Sequence, residues 1–192
     1  MKNETILIAV VALIVGLLGG YLVFSISSGR NEQQAMPAIP AGSGTPTDYA
    51  RRIAEAEKIV AQDPKNLKVW VSLGNDYFDT DQAQKAIGAY SKALELDPNN
   101  PNVLTDQGVM FRRVGWYDKA IANFERALKI DPKHLQSLYN IGIVYAVDMK
   151  KPEKGVPYWK RYIEVDPTSA TGIKIKSLIE QYSKGTPPAA AK

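Results

Sequence analysis

The chain has 192 residues, with 24 Lys and Arg against 20 Asp and Glu, one His and no Cys. Without cysteine there is no disulfide frame, no thiolate metal site and no thioether-linked lipid. The one histidine, His134, has no second ligand beside it in the sequence, so metal and imidazole chemistry have little to work with.

Residues 1–4 form a short head. Residues 5–26, TILIAVVALIVGLLGGYLVFSI, run 22 residues without a charge. As a helix rising 1.5 Å per residue this stretch spans roughly 33 Å, about one bilayer core. The apolar region of a cleaved signal peptide is usually shorter and is followed by a small-x-small site. The run therefore predicts one retained transmembrane helix, a signal anchor with a cytoplasmic amino end. The expected location is a bacterial inner membrane, crossed once, with the rest of the chain in the periplasm. Ala12, Gly16 and Gly20 are four apart, a spacing at which two membrane helices can pack and self-associate. Residues 27–46, rich in Gly, Ser, Pro and Ala, read as a flexible linker.

From residue 47 the pattern changes. DYARRIAEAEKIVAQDP (48–64) places Tyr49, Ile53, Ala56 and Val60 on one helical face and ends in Asp-Pro. Three longer units follow, at 67–100, 101–134 and 135–169. Pro64, Pro98, Pro132 and Pro167 are 34, 34 and 35 residues apart, each preceded by Asp. Gly74, Gly108 and Gly142 keep the 34-residue step, as do Ala86 with Ala120 and Ala93 with Ala127. A fixed period of this size, with two helical patterns per unit, marks a stacked-repeat architecture. Trp70, Leu73 and Tyr77 share one face of a first helix. Gly74 lets a neighbouring helix approach. Ala86, Tyr90 and Ala93 form the stripe of a second helix, which Asp97-Pro98 ends, because a residue before proline is pushed out of the α region.

Trp70-x2-Leu73-Gly74-x2-Tyr77, then Ala86-x3-Tyr90, then Pro98 resembles the tetratricopeptide repeat (TPR). The second unit keeps Gly108, Phe111, Ala120, Phe124, Ala127 and Pro132, with Leu104 for Trp and Gln107 for Leu. Gln107 at a Leu position predicts that Gln107→Leu is neutral or stabilising. The third unit keeps Ile141, Gly142, Tyr145 and Pro167. It carries one extra residue near MKKPEK and has Gly155, Trp159 and Tyr162 where small, aromatic and small residues are usual. Residues 47–66 read as a partial repeat. Residues 170–185 read as a capping helix with Ile175, Leu178, Ile179 and Tyr182 on one face, and 186–192 as a disordered tail. The resemblance implies an all-α fold of about eight helices, a right-handed superhelix of antiparallel pairs.

It also implies a concave groove lined by the second, fifth, ninth and twelfth residues of each repeat. These are Lys68, Val71, Asn75 and Phe78, then Asn102, Thr105, Val109 and Arg112, then Gln136, Tyr139, Ile143 and Ala146. A protein or peptide ligand is expected there. Of the Lys and Asn clamp with which some members grip a carboxyl terminus, only Asn75 is matched, so an acidic C-terminal peptide is not expected. No nucleophile, phosphate loop or His-Glu-x2-His occurs, so no enzyme activity and no cofactor are expected. Nine Lys and Arg against four Asp and Glu follow residue 149, yet no basic stripe with interleaved aromatics is evident along the chain, so nucleic acid is not expected either. The whole layout is similar to the membrane-anchored repeat proteins of bacterial cytochrome c biogenesis, of the CcmI/NrfG type, which implies a scaffold holding an apocytochrome or a maturation partner. The alternatives are an adaptor for pilus, secretion or cell-wall machinery, and a self-associating structural protein.

Overall fold

Each turn between repeats is built the same way. In the computed structural model, which describes residues 45–184, the Asp of every Asp-Pro pair caps the preceding helix with its N–H. Its carboxylate then accepts from the turn that follows: from Lys65 N–H at Asp63, Asn99 N–H at Asp97, Lys133 N–H at Asp131 and Ser169 N–H at Asp166. The bonds from Ser169 hold the Asp166 carboxyl below its ordinary range. Each proline carbonyl takes a side-chain donor from a later element: Trp70 Nε1 on Pro64, Arg126 on Pro98, Arg161 on Pro132 and Lys176 on Pro167, at 2.9–3.1 Å. The recurrent Asp is thus a folding device, as its position at helix ends suggests.

Eight α-helices result among the described residues: α1 (Pro46–Gln62), α2 (Leu67–Asp79), α3 (Ala83–Leu96), α4 (Pro101–Arg113), α5 (Tyr117–Ile130), α6 (Leu135–Ile143), α7 (Pro152–Val165) and α8 (Ala170–Ser183). Neighbours in sequence pack on one another, and α4 also touches α6. Thr45 and Asp48 form a capping box that starts α1. Asn66, Asn100 and Ser169 cap α2, α4 and α8 through their side chains. The predicted membrane span with Ala12, Gly16 and Gly20, the linker up to residue 44 and the tail from 186 lie outside the described residues. Among those described, no helix is long and apolar enough to cross a membrane.

The core repeats with the sequence. A Cβ on Gly74 would lie 2.4 Å from the Tyr90 ring, one on Gly108 2.5 Å from Phe124, and one on Gly142 2.1 Å from Trp159. In each unit the first helix therefore loses a side chain so that the aromatic of the second can lie against its backbone. Tyr90, Phe124 and Trp159 are all buried. One turn before the widest ring, Trp159, on the same helix stands Gly155, where a Cβ would come within 2.6 Å of the Gly142 carbonyl. The third unit thus exchanges an alanine methyl for indole volume, and Tyr162 fits beside it, buried with Leu138 and Ile175.

The extra residue of the third unit is taken up slightly upstream of MKKPEK. α6 runs on into a π-helical turn, Val144–Asp148, the usual way a helix absorbs one inserted residue. The loops after the first helices confirm the offset. Gln82 N–H closes on Tyr77 O and Trp116 N–H on Phe111 O, five residues back, whereas Lys151 N–H reaches six back to Tyr145 O. Each loop has one residue with positive φ, at Asp81 (58°), Gly115 (77°) and Lys150 (55°).

Two interior features have no counterpart in the sequence pattern. Arg52 on α1 and Asp76 on α2 form a buried ion pair, with Arg52 Nε donating to Asp76 Oδ2 at 3.2 Å and a second, tighter contact from Nη2. Gln107 is buried in a polar network: its amide donates to Ile87 O (3.1 Å) and Ser91 Oγ (2.8 Å), and its carbonyl accepts from Asn123 at 2.8 Å. This overturns the expectation for Gln107→Leu, because a leucine would remove three buried bonds at once, leaving Asn123 with only Leu104 O and Ser91 with only Ile87 O.

Candidate partner-binding groove

The first helices α2, α4 and α6 carry the predicted groove residues, and they are tied together at their ends. Between α2 and α4, Arg113 bonds Asp81 at 2.7 Å and lies 4.7 Å over the Phe78 ring. Between α4 and α6, His134 Nε2 and Asn102 Oδ1 are 2.9 Å apart, and Thr105 and Ser137 hydroxyls meet at 2.6 Å. At the other end Arg112 engages Asp148 with two nitrogens. Burial holds His134 below its ordinary pKa, with Asp131 acting weakly the other way. His134 Nδ1 lies 2.9 Å from the Ser137 hydroxyl, so the ring joins the Thr105–Ser137 pair.

Of the predicted lining, Lys68, Asn102 and Gln136 are exposed, while Val71, Asn75, Phe78, Val109, Arg112, Tyr139 and Ile143 are half-buried. Thr105 and Ala146 are buried. Thr105 donates to Pro101 O and sits on Ser137, and Ala146 belongs to the core around Trp159. These two shape the wall from beneath and offer it no atoms. Arg112 is occupied by Asp148, so it braces the helix pair instead of reaching out. Asn75 Oδ1 accepts from Tyr90 at 2.9 Å, which ties the groove floor to the core aromatic.

The groove holds charge that the twelve-position pattern left out. Asp106, next to Thr105 on α4, is half-buried, and burial together with nearby Asp79 pushes its carboxyl up to about 6. Asp79 accepts from Tyr49 at 3.2 Å. Burial, followed by the charges of Asp106 and Asp79, raises the Tyr90 phenol. Asp106 was readable in principle as the neighbour of groove position five. Its surroundings were not, since Asp79 and Tyr90 are 27 and 16 residues away.

A tetratricopeptide repeat model matches residues 67–100, a second matches 89–122, and a TPR repeat model matches 108–147. No curated protein matches the sequence. Among solved structures, the crystal structure of MamA agrees in fold with a TM-score of 0.66 at 22% identity, over 73% of this chain and 81% of that one. MamA MSR-1 agrees with a TM-score of 0.58 at 30% identity, over 64% and 70%. The first TPR of Spaghetti (RPAP3), solved bound to the HSP90 peptide SRMEEVD, gives 0.57 at 21%, over 62% and 93%. With its repeat units matched in sequence and in fold, the chain belongs to the tetratricopeptide repeat family, an all-helical protein–protein interaction scaffold.

Proposed function

We propose that this scaffold holds a polypeptide segment of a partner in the groove of α2, α4 and α6. The observation that carries the reading is the set of half-buried apolar side chains on the first helices, Val71, Val109, Tyr139 and Ile143, beside a floor of amides and carboxylates. Tyr139 and Ile143 pack on the core with one side only. A surface of this kind gains by being covered. Asp79 and Asp106 make the floor acidic, so an acidic peptide of the sort that Spaghetti binds is disfavoured here, and a segment with apolar residues and Lys or Arg is favoured. The test is capture by the full chain against the double variant Tyr139→Ala/Ile143→Ala. A partner held by the wild type and lost by a folded double variant supports the groove; capture that survives moves the site elsewhere.

The tether belongs to the same proposal. The uncharged run at 5–26 anchors the repeats to a bacterial inner membrane, with the repeats in the periplasm. Alkaline phosphatase fused after Lys184 is then active in a bacterial host, whereas an inactive phosphatase with an active cytoplasmic reporter reverses the orientation. The layout of anchor, linker and repeats suits a holder of apocytochrome in cytochrome c maturation. Partners bearing haem-attachment motifs in the capture experiment support that assignment, and pilus, secretion or cell-wall proteins replace it.

A further inference from the structure

The second helices carry a surface that the groove does not use. Arg51, Lys85, Lys119 and Lys154 hold one position on α1, α3, α5 and α7, at steps of 34, 34 and 35 residues, and all are exposed. Seven residues further along each helix, Lys58, Lys92, Arg126 and Arg161 form a second exposed row. Between the rows stand Ala54, Gly88, Ala122 and Pro157, exposed and uncharged, and beside them Glu55, Ala89, Asn123 and Tyr158, of which only Glu55 carries a charge. The basic double row escapes a linear reading because its members are a whole repeat apart.

Several of these cations are held in place. Lys85 lies 5.3 Å from the Tyr77 ring, Lys119 4.4 Å from Trp116 and Arg161 5.9 Å from Tyr158. Arg126 and Arg161 donate to the Pro98 and Pro132 carbonyls, and Lys92 pairs with Glu95. Two clefts open between the rows. One, of about 450 Å³, is lined by Tyr77, Lys85, Gly88, Ala89 and Lys92 together with Val60, Ala61, Trp70, Leu73 and Glu57, whose carboxylate accepts from the Tyr77 hydroxyl. The other, of about 370 Å³, is lined by Tyr145, Lys154, Pro157, Tyr158 and Arg161. These are the same repeat positions two units on. At the unit between them, Ser91, Gln107 and Asn123 bond to one another in the equivalent place.

We propose that this channel docks an acidic amphipathic helix of a partner protein. Its Asp and Glu flanks meet the two cation rows, and an apolar side chain enters each cleft. The width selects a helix. Seven residues at 1.5 Å each set the rows about 10 Å apart, the diameter of a helix with its side chains. A lone extended strand needs only about 5 Å. Charge is sparse between the rows, with Glu55 and Glu57 confined to α1, and the largely apolar clefts favour a peptide with apolar anchors over a polyphosphate or a headgroup layer, which would leave them empty.

The experiment titrates the full chain with a labelled helical peptide of about 18 residues. It carries Leu on one face and Glu on both flanks, and a control peptide has Lys for every Glu. The Glu peptide binds, and the Lys peptide does not. Lys85→Gln/Lys154→Gln weakens binding at least tenfold, Lys85→Arg/Lys154→Arg retains it, and the groove variant Tyr139→Ala/Ile143→Ala leaves it unchanged. The proposal fails if the wild type shows no binding up to about 1 mM, if both peptides bind alike, if the Gln variant binds as well as the wild type, or if the groove variant loses binding. It also fails if single-stranded DNA or phosphatidylglycerol vesicles bind as tightly with the same dependence on Lys85 and Lys154.

Discussion

Gln107 shows how a family position misleads when its surroundings are unknown. A leucine there matches the repeat signature, but α3 and α5 bring Ser91 and Asn123 to the same spot, 16 residues away on either side. Burying a polar group without its partner costs about 1–3 kcal/mol. Gln107→Leu therefore lowers the melting temperature, and adding Asn123→Leu recovers part of the loss, because both ends of the bond are then apolar. Equal melting of Gln107→Leu and wild type refutes the network's role. Asp106 makes a second test. Its folded pKa, about 6, lies above the ordinary carboxylate value of 3.8. The folded state thus keeps a proton between about 4 and 6 that the unfolded chain has released. The stability this adds is complete below the unfolded value and is lost as pH rises through about 6. Asp106→Asn consequently stabilises at pH 7 by about 1–2 kcal/mol, below the full value of about 1.4 kcal/mol per pKa unit because the residue is half-exposed. At pH 4 the same substitution has little effect. Chemical denaturation at both pH values checks the sign.

The helices themselves were largely legible. The Gly-to-aromatic contacts and the Asp-Pro turns recur every 34 or 35 residues, the stripe of α8 follows the helical period, and each has a local steric reason that one sequence can display. What could not be read is what depends on through-space partners. The Arg52–Asp76 pair spans 24 residues and the Arg112–Asp148 bridge 36, and neither leaves a periodic trace. The added residue was visible as a change from 34 to 35. Its place was not, because a π turn and a longer loop give the same count. Glycines make the element-scale test. At Gly108 a methyl meets the Phe124 ring at 2.5 Å, whereas at Gly88 a methyl meets nothing within 4 Å. Gly88→Ala therefore stabilises α3 by roughly 0.5–1 kcal/mol, and Gly108→Ala destabilises by about 1–3 kcal/mol. Thermal melts of the two variants should move in opposite directions.

At the scale of the whole stack, the repeats divide their labour between two helix sets. The second helices supply the aromatic core and an outer surface of ordered cations. The first helices supply a face with apolar side chains and an acidic floor, braced at its ends by Arg112, Arg113 and His134. Those braces make the face rigid before a ligand arrives, which lowers the ordering cost of binding. The groove side of this division is the central claim, and site-specific photo-crosslinking in the native host tests it most directly. A photoreactive residue placed at Val109 should give one discrete adduct with a partner. That adduct should vanish when Tyr139→Ala/Ile143→Ala is added, while the melting temperature stays within a few degrees of wild type. An adduct from Val109 that survives the double change, or the absence of any adduct there while a probe at Ala122 captures the same partner, would contradict a binding groove on α2, α4 and α6.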